Sequence, residues 1–253
     1  MATKTAEKSA PATAGAKKSN VNSILPDLVT MLEAGVHFGH ERSKRNPKMN
    51  KYIFMQRDRV AIVDLEQTLK GLMEAAEFIC ETAKIPSNEI LFVGTKRQAR
   101  AIVRKYAEET AMPYVTKRWL GGTLTNFSTI LKSIEKLDEL RRTANSLQVA
   151  KLTKKEKAVR QKEIERLEDV LEGIKDLKTL PAALIVIGSH DERIAVREAR
   201  RVGIPVVGIT DTNADPALVT YPIPANDDAI RSLELLTSIL AKAILLGRGQ
   251  AEK

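Results

Sequence analysis

The stretch Arg118-Trp-Leu-Gly-Gly-Thr-Leu-Thr-Asn-Phe127 divides the chain into two kinds of pattern. Before it, short apolar runs alternate with amphipathic segments. After it comes a long, highly charged helical pattern, and the alternation then resumes. The Gly121-Gly122 pair interrupts regular backbone, and Thr123 opens the helical pattern that follows. The stretch therefore predicts a junction at which a helical insertion leaves an α/β domain.

Two apolar runs, one on each side of this junction, predict the centre of a sheet. Residues 89–93 and 182–187 are almost continuously apolar, which is typical of strands buried on both faces of a parallel sheet. A helical pattern follows each run, and residues 204–209 repeat the strand pattern. Two prolines within 219–224 favour an edge strand. This alternation predicts a doubly wound parallel sheet with helices on both faces.

The insertion at 123–178 has the pattern of two helices that need each other. Apolar residues recur on one face from Phe127 onward, and Thr153-Lys-Lys-Glu156 resembles the capping box that starts a helix. Residues 151–178 carry 16 charged side chains, so this second helix needs a partner for its narrow apolar seam. We therefore predict an antiparallel coiled-coil hairpin. The seam has heptad spacing and consists of Ile164, Leu167, Leu171 and Ile174.

These patterns divide the chain into four parts. Residues 21–122 and 179–246 are predicted to form one discontinuous α/β domain around the hairpin at 123–178. Residues 1–20 have almost no large apolar side chains, so we expect a disordered, mildly basic tail. We expect a second tail, 247–253, to be frayed.

The overall charge is strongly basic. The chain has 41 Lys and Arg residues against 32 Asp and Glu residues, a net charge of +9. A surplus of this size points to a polyanionic partner such as nucleic acid. The single cysteine, Cys80, cannot form an internal disulfide, which fits a reducing, cytoplasmic location. Because no apolar run reaches the roughly 18–20 residues that span a bilayer, we expect no membrane partner.

Three basic segments are candidates for RNA contact. The segment 36–52 predicts an irregular loop in which cations alternate with aromatic side chains, which suits phosphate contact and base stacking. The segment 94–98 joins a buried strand to a helix, an arrangement that binds anions. A basic pair leads into the opening stretch. The candidate residues are Arg42, Lys44, Arg45, Lys48, Lys51, Lys96, Arg97, Arg100, Lys117 and Arg118.

Enzymatic and metal-binding functions have weaker support. The Walker pattern and the dinucleotide Gly-x-Gly-x-x-Gly are absent from the sequence, so we expect no nucleotide cofactor. An enzyme with a phosphate-bearing substrate at Gly94–Arg97 stays open as the alternative, and the short hairpin disfavours a free coiled-coil adaptor. A Ser189/His190/Asp211 triad would lack a nucleophile elbow. Weak candidates for metal ligands, on loops after two consecutive strands, are His190, Asp191, Asp211 and Asp215.

A series of motifs between residues 25 and 246 resembles one family, the bacterial-type small-subunit ribosomal protein S2. The motifs that carry the resemblance are Leu32–His40, Asn46–Met49 with Tyr52-Ile53, Phe92–Ala99, Arg118–Phe127, Gly203–Val207, Asp211–Asn213, Asp215-Pro216 and Pro222–Ile230. One departure is Arg45, where the family usually has Trp. The resemblance implies a Rossmann-like (flavodoxin-like) α/β domain with a protruding coiled-coil hairpin.

The resemblance also implies a function. It predicts a structural constituent of the small ribosomal subunit in the cytoplasm, with no enzymatic activity, cofactor or small-molecule substrate. The implied partners are 16S rRNA and other small-subunit ribosomal proteins. Carried onto this chain, the basic loop 42–51 and the pairs Lys96-Arg97 and Lys117-Arg118 become the segments that contact rRNA.

Overall fold

A computed structural model describes residues 20–144 and 153–249 of the chain. The predicted tail at 1–20 lies outside the described residues except for Asn20, as does 250–253 of the second tail. The helices are α1 (Leu28–Glu33), α2 (Leu65–Ala83), α3 (Arg100–Glu109), α4 (Phe127–Ala144), α5 (Lys154–Leu171), α6 (Arg193–Val202) and α7 (Ile230–Gly247). The strands are β1 (Phe38–Glu41), β2 (Ile53–Arg57), β3 (Val60–Val63), β4 (Ile90–Val93), β5 (Tyr114–Val115), β6 (Ala183–Ile187), β7 (Val206–Thr210) and β8 (Tyr221–Pro224).

The centre of the fold is a five-stranded parallel sheet with the strand order β5-β4-β6-β7-β8. The first strand of this sheet along the chain is β4; β5 then pairs on one side of it, and β6, β7 and β8 follow on the other side. Every residue of β4, β6 and β7 is buried. The predicted parallel sheet is therefore confirmed, and the strand with two prolines, β8, lies at an edge as expected.

Alternate residues of each buried strand enter two different hydrophobic clusters. Ile90 and Phe92 of β4 lie in a cluster with side chains of α2, α3 and α7. Leu91 and Val93 lie in a second cluster with α6, Trp119 and the base of α4 and α5. Helices thus cover both faces of the sheet, as the doubly buried strands predict.

A second, smaller sheet was not part of the predicted architecture. Strands β1, β3 and β2 form an antiparallel sheet in that order. The prediction of an irregular loop over 36–52 is wrong in part, because 38–41 pairs with β3 and two 3-10 turns, Arg42–Lys44 and Pro47–Tyr52, follow it. The sequence hides this strand because its side chains do not alternate between apolar and polar.

Helices α4 and α5 lie against each other. Their apolar side chains share the second cluster, and ion pairs join Lys136 to Glu163 at 2.6 Å and Arg141 to Glu168 at 2.8 Å. Helix α5 starts with the predicted capping box. The segment that would join the two helices, 145–152, lies outside the described residues. No helix in the described ranges is long and apolar enough to cross a membrane.

Candidate nucleic-acid interface at the carboxyl edge of the sheet

The loops after β4, β6 and β8 bring one lysine together with three carboxylates. Lys96 Nζ lies 2.6 Å from Asp227, 2.9 Å from Asp228 and 3.2 Å from Asp191. Only 15% of the Lys96 side chain is exposed. Burial lowers the pKa of this ammonium group, but the carboxylates outweigh that effect and raise it above its usual value. Lys96 is therefore engaged inside the protein and offers little charge to an external anion.

A histidine and two buried carboxylates lie next to this lysine. His40 Nδ1 lies 3.0 Å from Asp211 Oδ2, and the interaction with Asp211 raises the pKa of the imidazole. Burial, together with the neighbouring Asp211, raises the pKa of Asp227 to about 7, while Lys96 opposes the shift. His40, Asp211 and Asp227 can each offer one ligand atom within 4.8 Å of the others, which is compact enough for a metal ion.

The weak metal candidates from the sequence share only Asp211 with this group. His190 is exposed, Asp191 binds Lys96, and Asp215 lies 2.6 Å from Lys48 Nζ. The sequence places these four residues on neighbouring loops, but the structure directs the three carboxylates to different partners and leaves His190 exposed.

A carboxylate occupies the anion site that the sequence predicts after β4. The backbone N–H of Thr95 donates a 2.6 Å hydrogen bond to Glu192 Oε1. Glu192 is only 3% exposed; burial raises the pKa of its carboxyl group, and the hydrogen bonds from Thr95 lower it in part. In a doubly wound sheet, ligands bind where the strand order reverses, which is between β4 and β6 here. Glu192 and Lys96 fill that crevice with side chains of the protein itself.

The basic segment 42–51 is attached to the same edge of the sheet. The N–H of Asn46 donates to the carbonyl of Thr212 at 2.8 Å, and Lys48 pairs with Asp215. The exposed cations of this segment are Arg42, Lys44, Lys48 and Lys51, and Arg45 is half-buried. The segment is thus fixed beside the loop after β7, although it belongs to the smaller sheet.

The other two basic pairs follow neighbouring strands. Because β4 and β5 pair in parallel, Arg97 and Arg118 leave the sheet at the same edge, where both are exposed. Arg118 forms no hydrogen bond or ion pair with any described residue, whereas Lys117 lies 3.4 Å from Asp169. Arg100 is exposed and donates to the carbonyl of Thr95 at 2.9 Å.

A buried glutamate holds the opening stretch in place. Glu198 of α6 accepts hydrogen bonds from Trp119 Nε1 at 3.1 Å and from the N–H groups of Gly122, Leu124 and Thr125 at 2.8, 3.1 and 3.3 Å. Burial raises the pKa of Glu198, but these donors outweigh it and hold the pKa below its usual value. The turns that they stabilise explain why α4 begins four residues later than Thr123.

The sequence did not identify Glu198 as the partner of this stretch. The only sign of this role in the sequence is the position of Glu198, which lies beside the apolar residues Ala195 and Ala199 on the buried side of α6. Trp119 belongs to the core, because its side chain is 7% exposed and lies in the second hydrophobic cluster.

The fold and this edge together define a doubly wound α/β protein whose ligand crevice is closed by its own side chains and bordered by exposed cations. A family model described as Ribosomal protein S2 matches residues 31–247, and the chain belongs to this family. A curated relative is the "Small ribosomal subunit protein uS2" of Salinibacter ruber (strain DSM 13855 / M31). It is 49% identical over 217 residues, which cover 86% of this chain and 68% of the relative.

Proposed function

We propose that the chain is a structural constituent of the small ribosomal subunit, where it binds 16S rRNA and neighbouring ribosomal proteins in the cytoplasm. The observation that carries the proposal is family membership over nearly the whole described chain, together with the name of the S. ruber relative. The net charge of +9 supports a polyanionic partner. No catalytic step is part of this function.

The closed crevice favours a structural, scaffold function over an enzymatic one. Lys96, Glu192 and Asp227 occupy the position at which related folds bind a phosphate-bearing substrate. The cations that remain accessible lie around this position and can contact a large surface. The proposed rRNA contacts are therefore Arg42, Lys44, Arg45, Lys48, Lys51, Arg97, Arg100, Lys117 and Arg118, with Lys96 as the internal ion pair that supports them.

Arg118→Ala is expected to weaken binding to a 16S rRNA transcript. Arg118 has no partner among the described residues, so its loss removes one phosphate contact and leaves the fold unchanged. The slope of log K against log salt should fall by about one unit or slightly less. Filter binding at four salt concentrations gives this slope, and sedimentation of the tagged chain with small subunits gives the result on the intact particle.

Lys242→Ala is the control for Arg118→Ala. Lys242 is also exposed but lies in the second half of α7, toward the opposite edge of the sheet. Equal slopes for the two variants would show that Arg118 does not contact phosphate. If the native chain binds a free nucleotide tightly and stoichiometrically, the scaffold function itself is refuted.

We further propose that α4 and α5 form an antiparallel coiled-coil hairpin that folds as a local unit at 123–178.

Leu137→Ala empties a fully buried position of α4 and should destabilise this unit by about 2–4 kcal/mol. Hydrogen exchange should then speed up in α4 and α5 while β4, β6 and β7 keep their protection. Glu135→Ala, at an exposed position of the same helix, is the control. Equal loss of protection in the sheet would contradict a separate unit.

A further inference from the structure

Helix α6 presents an arginine-rich face that its sequence alone does not reveal. Residues 191–201 contain four arginines and three acids, so the segment looks nearly neutral. The structure separates the two signs: Asp191 binds Lys96, Glu192 binds the Thr95 N–H, and Glu198 binds the opening stretch. All four arginines are exposed, and none pairs with an acid of the described chain. They are Arg193, Arg197, Arg200 and Arg201.

A cavity of about 490 Å³ lies beside this face, at the carboxyl ends of β6 and β7. Arg193 and Arg197, four residues apart and therefore on the same side of the helix, line one wall. Asn46 and Asn213 also line the cavity, and Leu218 and Val219 add apolar surface. The volume is within the range of about 300–1,000 Å³ that small-ligand sites occupy, so the cavity can hold more than a phosphate group.

The polar groups that line the cavity differ in whether they already have a hydrogen-bond or ion-pair partner within the protein. Neither Arg193 nor Arg197 makes a hydrogen bond or ion pair with a described residue. Asn213 Oδ1 is buried and has no hydrogen-bond partner among the described residues, although Nδ2 lies 3.4 Å from His40 Nε2. Asp215, the acid in the lining, is already paired with Lys48. The site therefore has free charge for an anion and a free amide oxygen for a donor.

We propose that this cavity binds one unpaired nucleotide of the rRNA, with its phosphates on Arg193 and Arg197 and its base between the two asparagines and the apolar wall. Guanidinium groups bind phosphate oxygens in a bidentate manner, and proteins read unpaired RNA bases through hydrogen bonds to their edges. An acidic peptide would satisfy the arginines but would offer the Asn213 oxygen no side-chain donor. The inference rests on the proposed function and assigns a specific contact within it.

The test compares two double variants of the full chain for binding to a 16S rRNA transcript. In Arg193→Gln/Arg197→Gln, both proposed phosphate contacts are lost. In Lys162→Gln/Arg166→Gln, the same charge is removed at the same spacing from exposed positions of α5. We expect the first variant to bind at least about tenfold more weakly than the second, with a salt slope smaller by about 1.4, the value for two phosphates of a single strand.

A third variant separates a nucleotide site from a purely electrostatic surface. Asn213→Ala should lower affinity severalfold without changing the salt slope, because it removes a base contact and no charge. Unchanged affinity for Asn213→Ala, with thermal unfolding as a check of the fold, would overturn the placement of a base in the cavity. A 4-thiouridine-substituted transcript should cross-link to peptides that contain residues 189–197 or 213–219.

The outcomes distinguish the inference from the proposed function. If the native chain does not bind the transcript, the proposed function fails. If the native chain binds and the two double variants behave alike, only the nucleotide site fails, and the arginines of α6 are then free for an acidic protein neighbour. If AMP binds the native chain stoichiometrically at micromolar concentration and Arg193→Gln/Arg197→Gln abolishes this binding, the cavity takes a free nucleotide, and both the rRNA assignment of the cavity and the scaffold function are overturned.

Discussion

Glu198→Ala is expected to destabilise the protein by about 3–5 kcal/mol, a large part of the free energy of unfolding of a typical domain. The substitution leaves the indole N–H of Trp119 and the N–H groups of Gly122, Leu124 and Thr125 without their shared acceptor. A buried donor without a partner costs about 1–3 kcal/mol, and local rearrangement recovers part of the sum. Urea unfolding gives the change, and Trp119, the only tryptophan in the chain, should shift its emission to longer wavelength.

Two comparisons show whether the carboxylate itself is responsible. Glu165→Ala makes the same substitution at an exposed position of α5 and should leave the unfolding midpoint almost unchanged. Because the folded protein lowers the pKa of Glu198, its contribution is present above the unfolded pKa of about 4.3 and is lost as pH falls through the lower folded value. The difference between the native chain and Glu198→Gln should therefore shrink in acid. A constant difference at all pH values would contradict a role for the charge.

Lys96→Met is expected to cost about 3–5 kcal/mol, because it leaves the buried carboxylate of Asp227 without its cation. Asp227 is fully buried and already lies close to Asp211, so above its pKa the two carboxylates would repel each other without the lysine that now lies beside Asp227. Chemical denaturation at about pH 9 measures the loss, which should be smaller at pH 7, because the pKa of Asp227 is already about 7 beside Lys96 and rises further without it. Release of the loops after β6 and β8 should appear as faster hydrogen exchange at 188–192 and 225–229.

The matched control is Lys105→Met. Lys105 also lies 2.6 Å from its partner, Glu234, but both side chains are exposed, so this pair should contribute little. A second check adds Asp227→Asn to Lys96→Met, which removes the unpaired charge and should restore part of the stability. If Lys96→Met were as harmless as Lys105→Met, Lys96 would be available for RNA contact, and the internal ion pair would not be needed to hold the edge.

Much of the fold could be predicted from local patterns. The continuous apolar runs identified β4 and β6 because a strand buried on both faces needs apolar side chains at every position. The capping box at Thr153 identified the start of α5 because both of its hydrogen bonds join residues three apart. Strand β1 was missed because its stability comes from pairing with β3, about twenty residues away, and its own side chains carry no strand pattern.

The predicted RNA-contact residues also fall into two groups: those that local patterns place correctly, and those whose surroundings depend on distant residues. The sequence places Arg97 and Arg118 at strand ends, and the pairing of β4 with β5 brings them to one edge. The sequence could not show that Lys96 is occupied, because its partner Asp227 lies 131 residues away. It also could not separate the arginines of α6 from neighbouring acids, since the partners of those acids come from other elements.

The sequence by itself determined the α/β class, the junction at Arg118–Phe127, the positions of the buried strands and the family resemblance. These follow from local apolar periodicity, glycine positions and motifs, all of which can be recognised within short stretches of the sequence. Only the tertiary structure decided which charges are free. Whether a charged side chain can meet a partner depends on which acids and N–H groups the fold brings within about 3 Å of it, and those groups come from distant parts of the chain. For this reason Lys96 and Glu198 bind partners inside the protein, whereas Arg193 and Arg197 are exposed to solvent.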